Sequence, residues 1–178
     1  MKMKKTLLPV ALFLLLTNFL CAQNGYKNAV GVRFNTYIGY DVLALSYKSF
    51  LANHDALEFN LGFGGRNMYV PGTSGQSFSP GISLAGAYQY HVDIETATNE
   101  HLRWFAGGGL ILFHIFSKNN FYEGFGAGLF GTCGIDYKFK NTPLNLTADW
   151  RPTVYLSAPD SFSPLQIGTL GVAVRYTF

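Results

Sequence analysis

The residues with the most chemical potential in this 178-residue chain are four histidines and one cysteine beyond residue 22. The histidines are His54, His91, His101 and His114. They fall in different segments, and their spacing does not fit the closely repeated ligand pairs of a zinc site, so we predict no metal. Cys133 has no partner for an internal disulfide and is predicted to be a small packing residue.

A glycine-rich motif at residues 126–131, GAGLFG, matches the GxGxxG fingerprint of dinucleotide-binding folds. That fingerprint binds a pyrophosphate only where it joins a strand to the N-terminus of a helix. Here the motif lies inside a segment of period-two alternation with no helical pattern after it. We interpret its glycines as strand residues that relieve crowding, and we predict no cofactor.

Seven charged residues share one property: each has the same alternation phase as the small residues of its segment. These are Arg33, Lys48, Glu58, Arg103, Asp136, Asp149 and Arg175. In the interior of a narrow barrel such charges must be paired and hydrogen-bonded, because burying an isolated charge is very costly. The pattern therefore predicts a lumen that is closed by ion pairs. No residue in the chain is predicted to be catalytic.

The elements that position these charges are strands, since apolar and polar residues alternate with period two along nearly the whole chain beyond residue 23. Eight segments show this alternation: 30–35, 43–48, 57–64, 82–90, 102–114, 125–137, 144–150 and 170–178. Many are near the ~10 residues that a tilted strand needs to cross a bilayer. We predict an all-β fold, an eight-stranded antiparallel up-and-down transmembrane barrel formed by residues 23–178.

The connections between these segments alternate in length. The shorter, polar ones are residues 52–55, 93–100 and 140–143. The intervening loops are 67–80 and 152–164, which are longer and rich in Gly, Ser and Pro, and 117–123. Short turns at one end and longer loops at the other are typical of outer-membrane barrels. We call these two ends the short-turn end and the long-loop end.

The apolar phase carries aromatic residues near both strand ends, and a soluble barrel with an apolar interior is the alternative to a membrane barrel. The predicted short-turn belt comprises Tyr47, Tyr88, Tyr90, Trp104, Tyr137, Tyr176 and Phe178, and the opposite belt comprises Phe34, Phe63, Phe125 and Trp150. Two aromatic belts around an aliphatic band are typical of membrane interfaces. The polar phase is mostly small, which suits a narrow interior. Both features favour the membrane barrel.

The N-terminal residues have the pattern of a secretory signal peptide, predicted to be residues 1–22 with cleavage after Ala22. Lysines precede an apolar run at residues 7–16 that is short for a membrane helix. Leu20 before Cys21 does not favour lipidation. Charged residues make up only 13% of the chain, and without the leader's lysines ten basic residues face ten acidic ones, so no nucleic-acid partner is expected.

The chain ends in Tyr176-Thr177-Phe178, which resembles the terminal signal read by the outer-membrane barrel assembly machinery. In that pattern a Gly lies five residues before the last aromatic, where this chain has Ala173. Segments 45–51, 134–139, 143–146 and 150–152 resemble small outer-membrane barrels of the Bacteroidetes type, similar to OmpX and the OmpA membrane domain. The resemblance implies an outer-membrane location in a Gram-negative bacterium.

The same resemblance implies as partners the lipid bilayer, lipopolysaccharide, the assembly machinery and periplasmic chaperones, with Tyr176 and Phe178 as the assembly signal. We expect a structural or surface-interaction role in which the longer loops carry any specificity. A small-solute pore is an alternative. A lipid-modifying enzyme resembling lipid A deacylases is another, since His114 and Ser117 lie near one rim, but their spacing does not match that family's His-x-Ser. We expect no enzyme.

Overall fold

The structure, a computed structural model, describes residues 26–36, 39–69, 75–94, 101–118 and 121–178. The predicted signal peptide, residues 1–22, lies outside this part of the chain. The described residues form ten strands: β1 (Asn28–Asn35), β2 (Leu43–Phe50), β3 (Asp55–Tyr69), β4 (Gln76–Ile94), β5 (His101–Ile115), β6 (Gly124–Lys138), β7 (Leu144–Trp150), β8 (Thr153–Ser157), β9 (Leu165–Gln166) and β10 (Leu170–Thr177). Among the described residues, no helix is long and apolar enough to span a membrane.

The strands form one closed antiparallel barrel. Consecutive strands pair from β1 to β7, and β1 pairs with β10, which in turn pairs with β7. The predicted eight-stranded barrel is confirmed, because the ten strands make eight positions in the wall. Strands β7 and β8 follow one another at the same position beside β6, and β9 and β10 do so at the next position.

The break between β7 and β8 falls at Pro152, which has no backbone N–H to contribute to a sheet. The neighbouring backbone groups remain bonded around the break. Gly131 N–H donates to Pro152 O at 3.0 Å, and Arg151 N–H donates to Thr169 O at 2.9 Å. The wall is therefore continuous here although the regular strand pattern stops.

The faces of the wall follow the predicted alternation. Along β2 and β10 exposed and buried residues alternate almost without interruption, and the exposed ones are the apolar ones. Phe34, Phe63, Phe125 and Trp150 are exposed on the outside. Tyr88 and Trp104, from the other predicted belt, are exposed as well. The interior thus receives the polar phase.

Two of the predicted longer loops contain strand. The hairpin of β3 and β4 reaches Tyr69 and Gln76, which pair with each other, so most of the region predicted as the loop 67–80 is a two-stranded ribbon. Within 152–164, residues 153–157 form β8. Alternation is weak in these regions, and cross-strand pairing rather than local pattern extends the strands.

Candidate functional site in the barrel lumen

The lumen holds a group of buried charged side chains between two apolar clusters. We call this group the charged centre: Arg33, Lys48, Glu58, Asp136, Asp149, Arg151 and Arg175. Four of its side chains, those of Arg33, Lys48, Glu58 and Arg175, belong to residues with no solvent-exposed surface. Of the seven predicted lumen residues, the structure brings six together here.

Within the charged centre, Glu58 on β3 is the carboxylate that forms salt bridges with the largest number of basic side chains. Its Oε1 lies 2.5 Å from Arg151 Nη2 and 3.7 Å from Arg33 Nη1, and its Oε2 lies 3.0 Å from Arg175 Nη2. The side-chain amides of Asn60 and Gln89 also donate to Glu58, at 2.9 and 3.0 Å. These contacts satisfy both oxygens of a carboxylate that has no access to solvent, as a buried charge requires.

Arg33 on β1 forms a two-pronged contact with Asp149 on β7. Arg33 Nη1 donates to Asp149 Oδ2 at 2.8 Å, and Arg33 Nη2 donates to Oδ1 at 2.5 Å. Bidentate guanidinium–carboxylate pairs fix geometry as well as charge. Gly171 on the intervening strand β10 leaves room for this pair, because a Cβ there would overlap Arg33 Nη2 and lie 2.8 Å from Asp149 Oδ1.

Lys48 and Asp136 form a second pair nearer the short-turn end. Lys48 Nζ lies 2.7 Å from Asp136 Oδ2, to which the Tyr26 hydroxyl also donates at 3.0 Å. Asn145 donates to Asp136 Oδ1 at 2.7 Å. In the same region, Arg175 Nη1 donates a hydrogen bond to Thr147 Oγ1 at 2.8 Å. Arg175 therefore joins the two parts of the charged centre.

Arg103 has an inward-facing side chain that is only 13% exposed, but it pairs with Asp93 rather than with the charged centre. Its Nε donates to Asp93 at 2.6 Å, and the Asp93 side chain is 55% exposed. The guanidinium also lies over the ring of Phe50, 5.2 Å from its centroid. Arg103 lies opposite Asp93 on β4 and opposite Asp136 on β6 in the strand register, and its side chain pairs with Asp93. The alternation phase predicts the inward face but not which of two neighbouring carboxylates a guanidinium binds.

Arg151 is a member of the charged centre that the sequence reasoning missed. It follows Trp150, which faces outward, so the alternation phase already directed Arg151 inward. It lies between the predicted strand segment 144–150 and the predicted loop 152–164 and was therefore not counted among the lumen residues. In the structure Arg151 contacts Glu58 and Asp149, and its guanidinium lies 5.1 Å from the centroid of the Phe130 ring.

The connection between β1 and β2 folds into the barrel rather than away from it, which the sequence also did not reveal. Tyr40 and Asp41 are buried although neither belongs to a strand. Gly64 and Gly81, which face each other across β3 and β4, provide the space. A Cβ on Gly64 would come within 2.8 Å of Asp41 N, and a Cβ on Gly81 within 2.8 Å of Tyr40 Cα.

Asp41 contributes a further acidic group next to the charged centre. Asn35 hydrogen-bonds its carboxylate, while Asp41 Oδ1 has no hydrogen-bond partner among the described residues. Burial raises the pKa of the Asp41 carboxyl, and the positive charges of Arg33 and Arg151 act in the opposite direction.

Tyr40 completes an apolar cluster that fills the long-loop end. We call it the long-loop cluster: Tyr40, Ala85, Ala87, Ile111, Phe113, Ile115, Phe130 and Tyr155, with Ala158 and Phe162 packed against it. The ring of Tyr40 is stacked on that of Phe113 with centroids 3.9 Å apart and planes 13° apart. Its hydroxyl lies 2.8 Å from the hydroxyl of Tyr155.

A smaller apolar cluster lies on the short-turn side of the charged centre and consists of Tyr26, Ala29, Phe50 and Ala56. The rings of Tyr26 and Phe50 meet edge to face with centroids 5.1 Å apart. His91, which is fully buried, stacks on Phe105 at 5.0 Å, and neither of its ring nitrogens has a hydrogen-bond partner among the described residues.

The remaining predicted features take separate places. His114 packs its ring against Phe116, whereas Ser117 accepts a hydrogen bond from Ser79. Cys133 is exposed on the outer wall, so the prediction that it is a packing residue is wrong.

Motif 126–131 lies within β6 and no helix follows it, which agrees with its interpretation as strand. The glycine at 126 makes room for a lumen side chain, since a Cβ there would overlap the ring of Phe113. Within the described residues, no group of three or more His, Cys, Asp and Glu side chains is placed to hold a metal ion.

The two predicted terminal signal residues lie at the closure of the barrel. Tyr176 pairs with Val30 on β1 and with Leu144 on β7. Phe178 exchanges backbone hydrogen bonds with Asn28, at 2.8 and 2.9 Å. The end of the chain therefore forms part of the seam between the first and last strands.

Comparisons with known proteins identify no relative of this chain. No protein-family model matches the chain, and neither the curated proteins nor the solved structures contain a match.

Proposed function

We propose that the protein is an outer-membrane β-barrel with a structural or surface-interaction role, whose lumen is closed by ion pairs. The observation that carries this proposal is the distribution of side chains across the wall. Charged groups such as Arg33, Lys48 and Glu58 are completely buried inside, while large apolar groups such as Leu45 and Leu84 are more than half exposed outside. A bilayer is the solvent that makes this arrangement favourable.

A soluble barrel around an apolar ligand would need the opposite arrangement. Its outer wall would have to interact with water, yet the outer faces of β2 and β10 present Leu, Val and Tyr at nearly every outward position. Exposed apolar surface of this extent marks a surface that contacts lipid or protein. The continuity of the exposed apolar residues around all eight wall positions favours lipid.

Closure of the lumen supports a structural role over conduction. The charged centre connects β1, β2, β3, β6, β7 and β10 across the interior through direct side-chain contacts. An eight-stranded barrel is barely wide enough for side chains, so cross-lumen contacts of this kind support a closed lumen. Steady, large single-channel conductance of the refolded protein would favour the pore alternative instead.

The proposal includes the cellular context. The bilayer and lipopolysaccharide would surround the outer wall, and the assembly machinery and periplasmic chaperones would handle the chain before insertion. Support for the assembly signal comes from Tyr176 and Phe178, whose position at the seam is where the last strand must be joined to the first. Loops at the long-loop end would carry any recognition of surface ligands.

Cys133 offers a direct test of membrane insertion, because it is exposed on the outer wall near the middle of β6. In a full-length Cys21→Ser chain refolded into lipid vesicles, we expect Cys133 to resist a membrane-impermeant maleimide. In the denatured chain it should react fully. The measurement is the labelled fraction by mass spectrometry.

The matched control carries Cys133→Ser and Asp160→Cys, which places the thiol at an exposed residue of the long-loop end. This variant should react readily in vesicles on the barrels whose long-loop end faces outward. If Cys133 in folded, vesicle-treated protein reacts as fast as the thiol at position 160, the outer wall is not in lipid and the proposal fails.

A further inference from the structure

One cross-strand row of the wall carries three buried polar side chains on the lumen side. Gln89 on β4 lies opposite Gly107 on β5, and Gly107 lies opposite Thr132 on β6. Arg151 follows Thr132 in the row, one residue beyond the last pair of the β6–β7 ladder. Gln89, Thr132 and Arg151 are each no more than 6% exposed. The row therefore places three enclosed polar groups on neighbouring parts of the lumen wall.

Each of these side chains keeps one polar atom that has no hydrogen-bond partner among the described residues. The atoms are Gln89 Oε1, Thr132 Oγ1 and Arg151 Nε. Buried polar atoms without a partner are rare in folded proteins, and an ordered water or an ion is a common reason for them. Gly107, which lies between Gln89 and Thr132 in the row, has no side chain that could bond either of them.

Gln89 and Arg151 meet at the same carboxylate of the charged centre. Gln89 Nε2 donates to Glu58 Oε2 at 3.0 Å, and Arg151 Nη2 donates to Glu58 Oε1 at 2.5 Å. Because an ionised carboxylate only accepts hydrogen bonds, the Gln89 amide must turn Nε2 toward Glu58 and Oε1 away from it. The Arg151 guanidinium also lies 5.1 Å from the ring centroid of Phe130, two residues from Thr132 on β6. Both side chains thus end beside Glu58, and Arg151 reaches it past the wall that carries Thr132.

The chemistry of the three atoms selects the molecule that fits them. Gln89 Oε1 only accepts a hydrogen bond, Arg151 Nε only donates one, and the Thr132 hydroxyl can do either. A cation would lie against the positive charge of Arg151, and an anion would lie against Gln89 Oε1 and the Glu58 carboxylate. A water molecule can donate to Gln89, accept from Arg151 and bond Thr132, which gives it the about three hydrogen bonds that a buried water typically makes.

We infer that the lumen binds one ordered water molecule at this row, held by Gln89 Oε1, Thr132 Oγ1 and Arg151 Nε. The water fixes the orientation of the amide and the guanidinium that both bind Glu58, so it is a working part of the charged centre. The site lies wholly in the lumen, and it therefore stands or falls independently of whether the outer wall lies in lipid.

The direct test is a crystal structure of the full chain, refolded in detergent micelles, from data that show ordered water. We expect a density peak about 2.7–3.2 Å from each of the three atoms, the range of ordinary hydrogen bonds. Crystals soaked in bromide should show no anomalous peak there. A bromide peak would make this an anion site and overturn the inference. Direct hydrogen bonds among the three side chains, with no density between them, would overturn it as well.

A double-mutant cycle tests the site in solution by urea unfolding. Thr132→Val keeps the shape of the side chain without its hydroxyl, and Gln89→Met keeps its length without the amide. The two residues are separated by β5, so without a shared water their effects should add. With the water, we expect the unfolding equilibrium constant of the double variant to depart from additivity by about fivefold or more.

The matched control replaces Thr132→Val by Ser83→Ala, which removes another buried hydroxyl without a partner among the described residues. Ser83 lies elsewhere on β4, opposite Gly62, so its effect and that of Gln89→Met should add. Additive effects of Thr132→Val and Gln89→Met would overturn the inference. Heat-modifiable migration in SDS gels establishes that each variant is folded, and if Gln89→Met does not fold, Gln89→Leu takes its place.

Discussion

The charged centre and the long-loop cluster occupy the same lumen, but they are built from different parts of the chain and held by different forces. In the charged centre almost every group lies on a wall strand, and pairs such as Arg33 and Asp149 hold each other at hydrogen-bonding distance. The long-loop cluster depends on Tyr40, which a connection inserts between aromatic rings. The charged centre is held by ion pairs between strands, and the long-loop cluster is held by apolar packing around the Tyr40 ring.

This difference has an energetic consequence. Removing one member of a buried charge network strands its partners, whereas removing an apolar group from a cluster costs only the contacts of that group and the space it leaves. We therefore expect the charged centre to be intolerant of substitution and the long-loop cluster to be adaptable.

Glu58→Ala should give the largest loss of stability, about 3–5 kcal/mol, because Arg33, Arg151 and Arg175 would lose the carboxylate they share. Water that enters the lumen would reduce this figure. The measurement is the free energy of unfolding in urea for the refolded barrel. Glu123→Ala, at an exposed carboxylate outside the network, is the matched control and should be nearly neutral. A Glu58→Ala barrel as stable as the parent would contradict the ion-pair closure.

Gly171→Ala should cost about 1–3 kcal/mol, since its new methyl group would overlap Arg33 Nη2 and force the guanidinium away from Asp149. Gly131→Ala is the control, because its Cβ would meet only Pro152 Cγ at 3.7 Å. Urea unfolding of the two variants side by side separates crowding in the lumen from the general effect of replacing a strand glycine. Equal stabilities for both would show that Arg33 moves aside freely.

Tyr40→Phe should cost about 1 kcal/mol, the usual net value of one hydrogen bond, by removing the contact with the Tyr155 hydroxyl. Tyr155→Phe should cost a similar amount, and the double variant less than the sum of the two, because both changes delete the same bond. Strictly additive losses would show that the two hydroxyls do not interact. Urea unfolding of all four proteins of the cycle supplies the data.

Arg103→Ala should have the smallest effect, about 0–1 kcal/mol, and the effect should shrink at high salt. Arg103 pairs with Asp93, whose side chain is 55% exposed, so solvent screens the interaction. Unfolding at low and at high ionic strength measures it. A loss as large as that of Glu58→Ala would mean that Arg103 belongs to the charged centre after all.

The inward face of six of the seven residues of the charged centre followed from alternation phase. Arg33, Glu58 and Arg175 could be assigned to the interior because period two is imposed by strand geometry itself, and their neighbours in phase are small. Phase carries no information on which charges pair. Arg103 therefore has the inward phase of the network, but its ion-pair partner is Asp93, outside the charged centre.

The residues that the sequence did not place are those whose environment is set by distant parts of the chain. Arg151 enters the network because Pro152 interrupts the wall without turning the chain outward. Tyr40 and Asp41 lie in the lumen because Gly64 and Gly81 become neighbours across β3 and β4. Neither relation is visible in the local sequence around residues 40 or 151.

The sequence by itself determined the all-β architecture, the eight wall positions, the inward phase of the charges and the outward phase of the aromatics. These properties are local, since each depends on the period of the backbone and on the polarity of side chains within one strand. The tertiary structure alone decided which charges pair, how the hairpin of β3 and β4 extends, and that Tyr40 fills the long-loop end. Those properties depend on register and barrel closure, which bring residues more than a hundred positions apart within a few ångströms, as with Arg33 and Asp149.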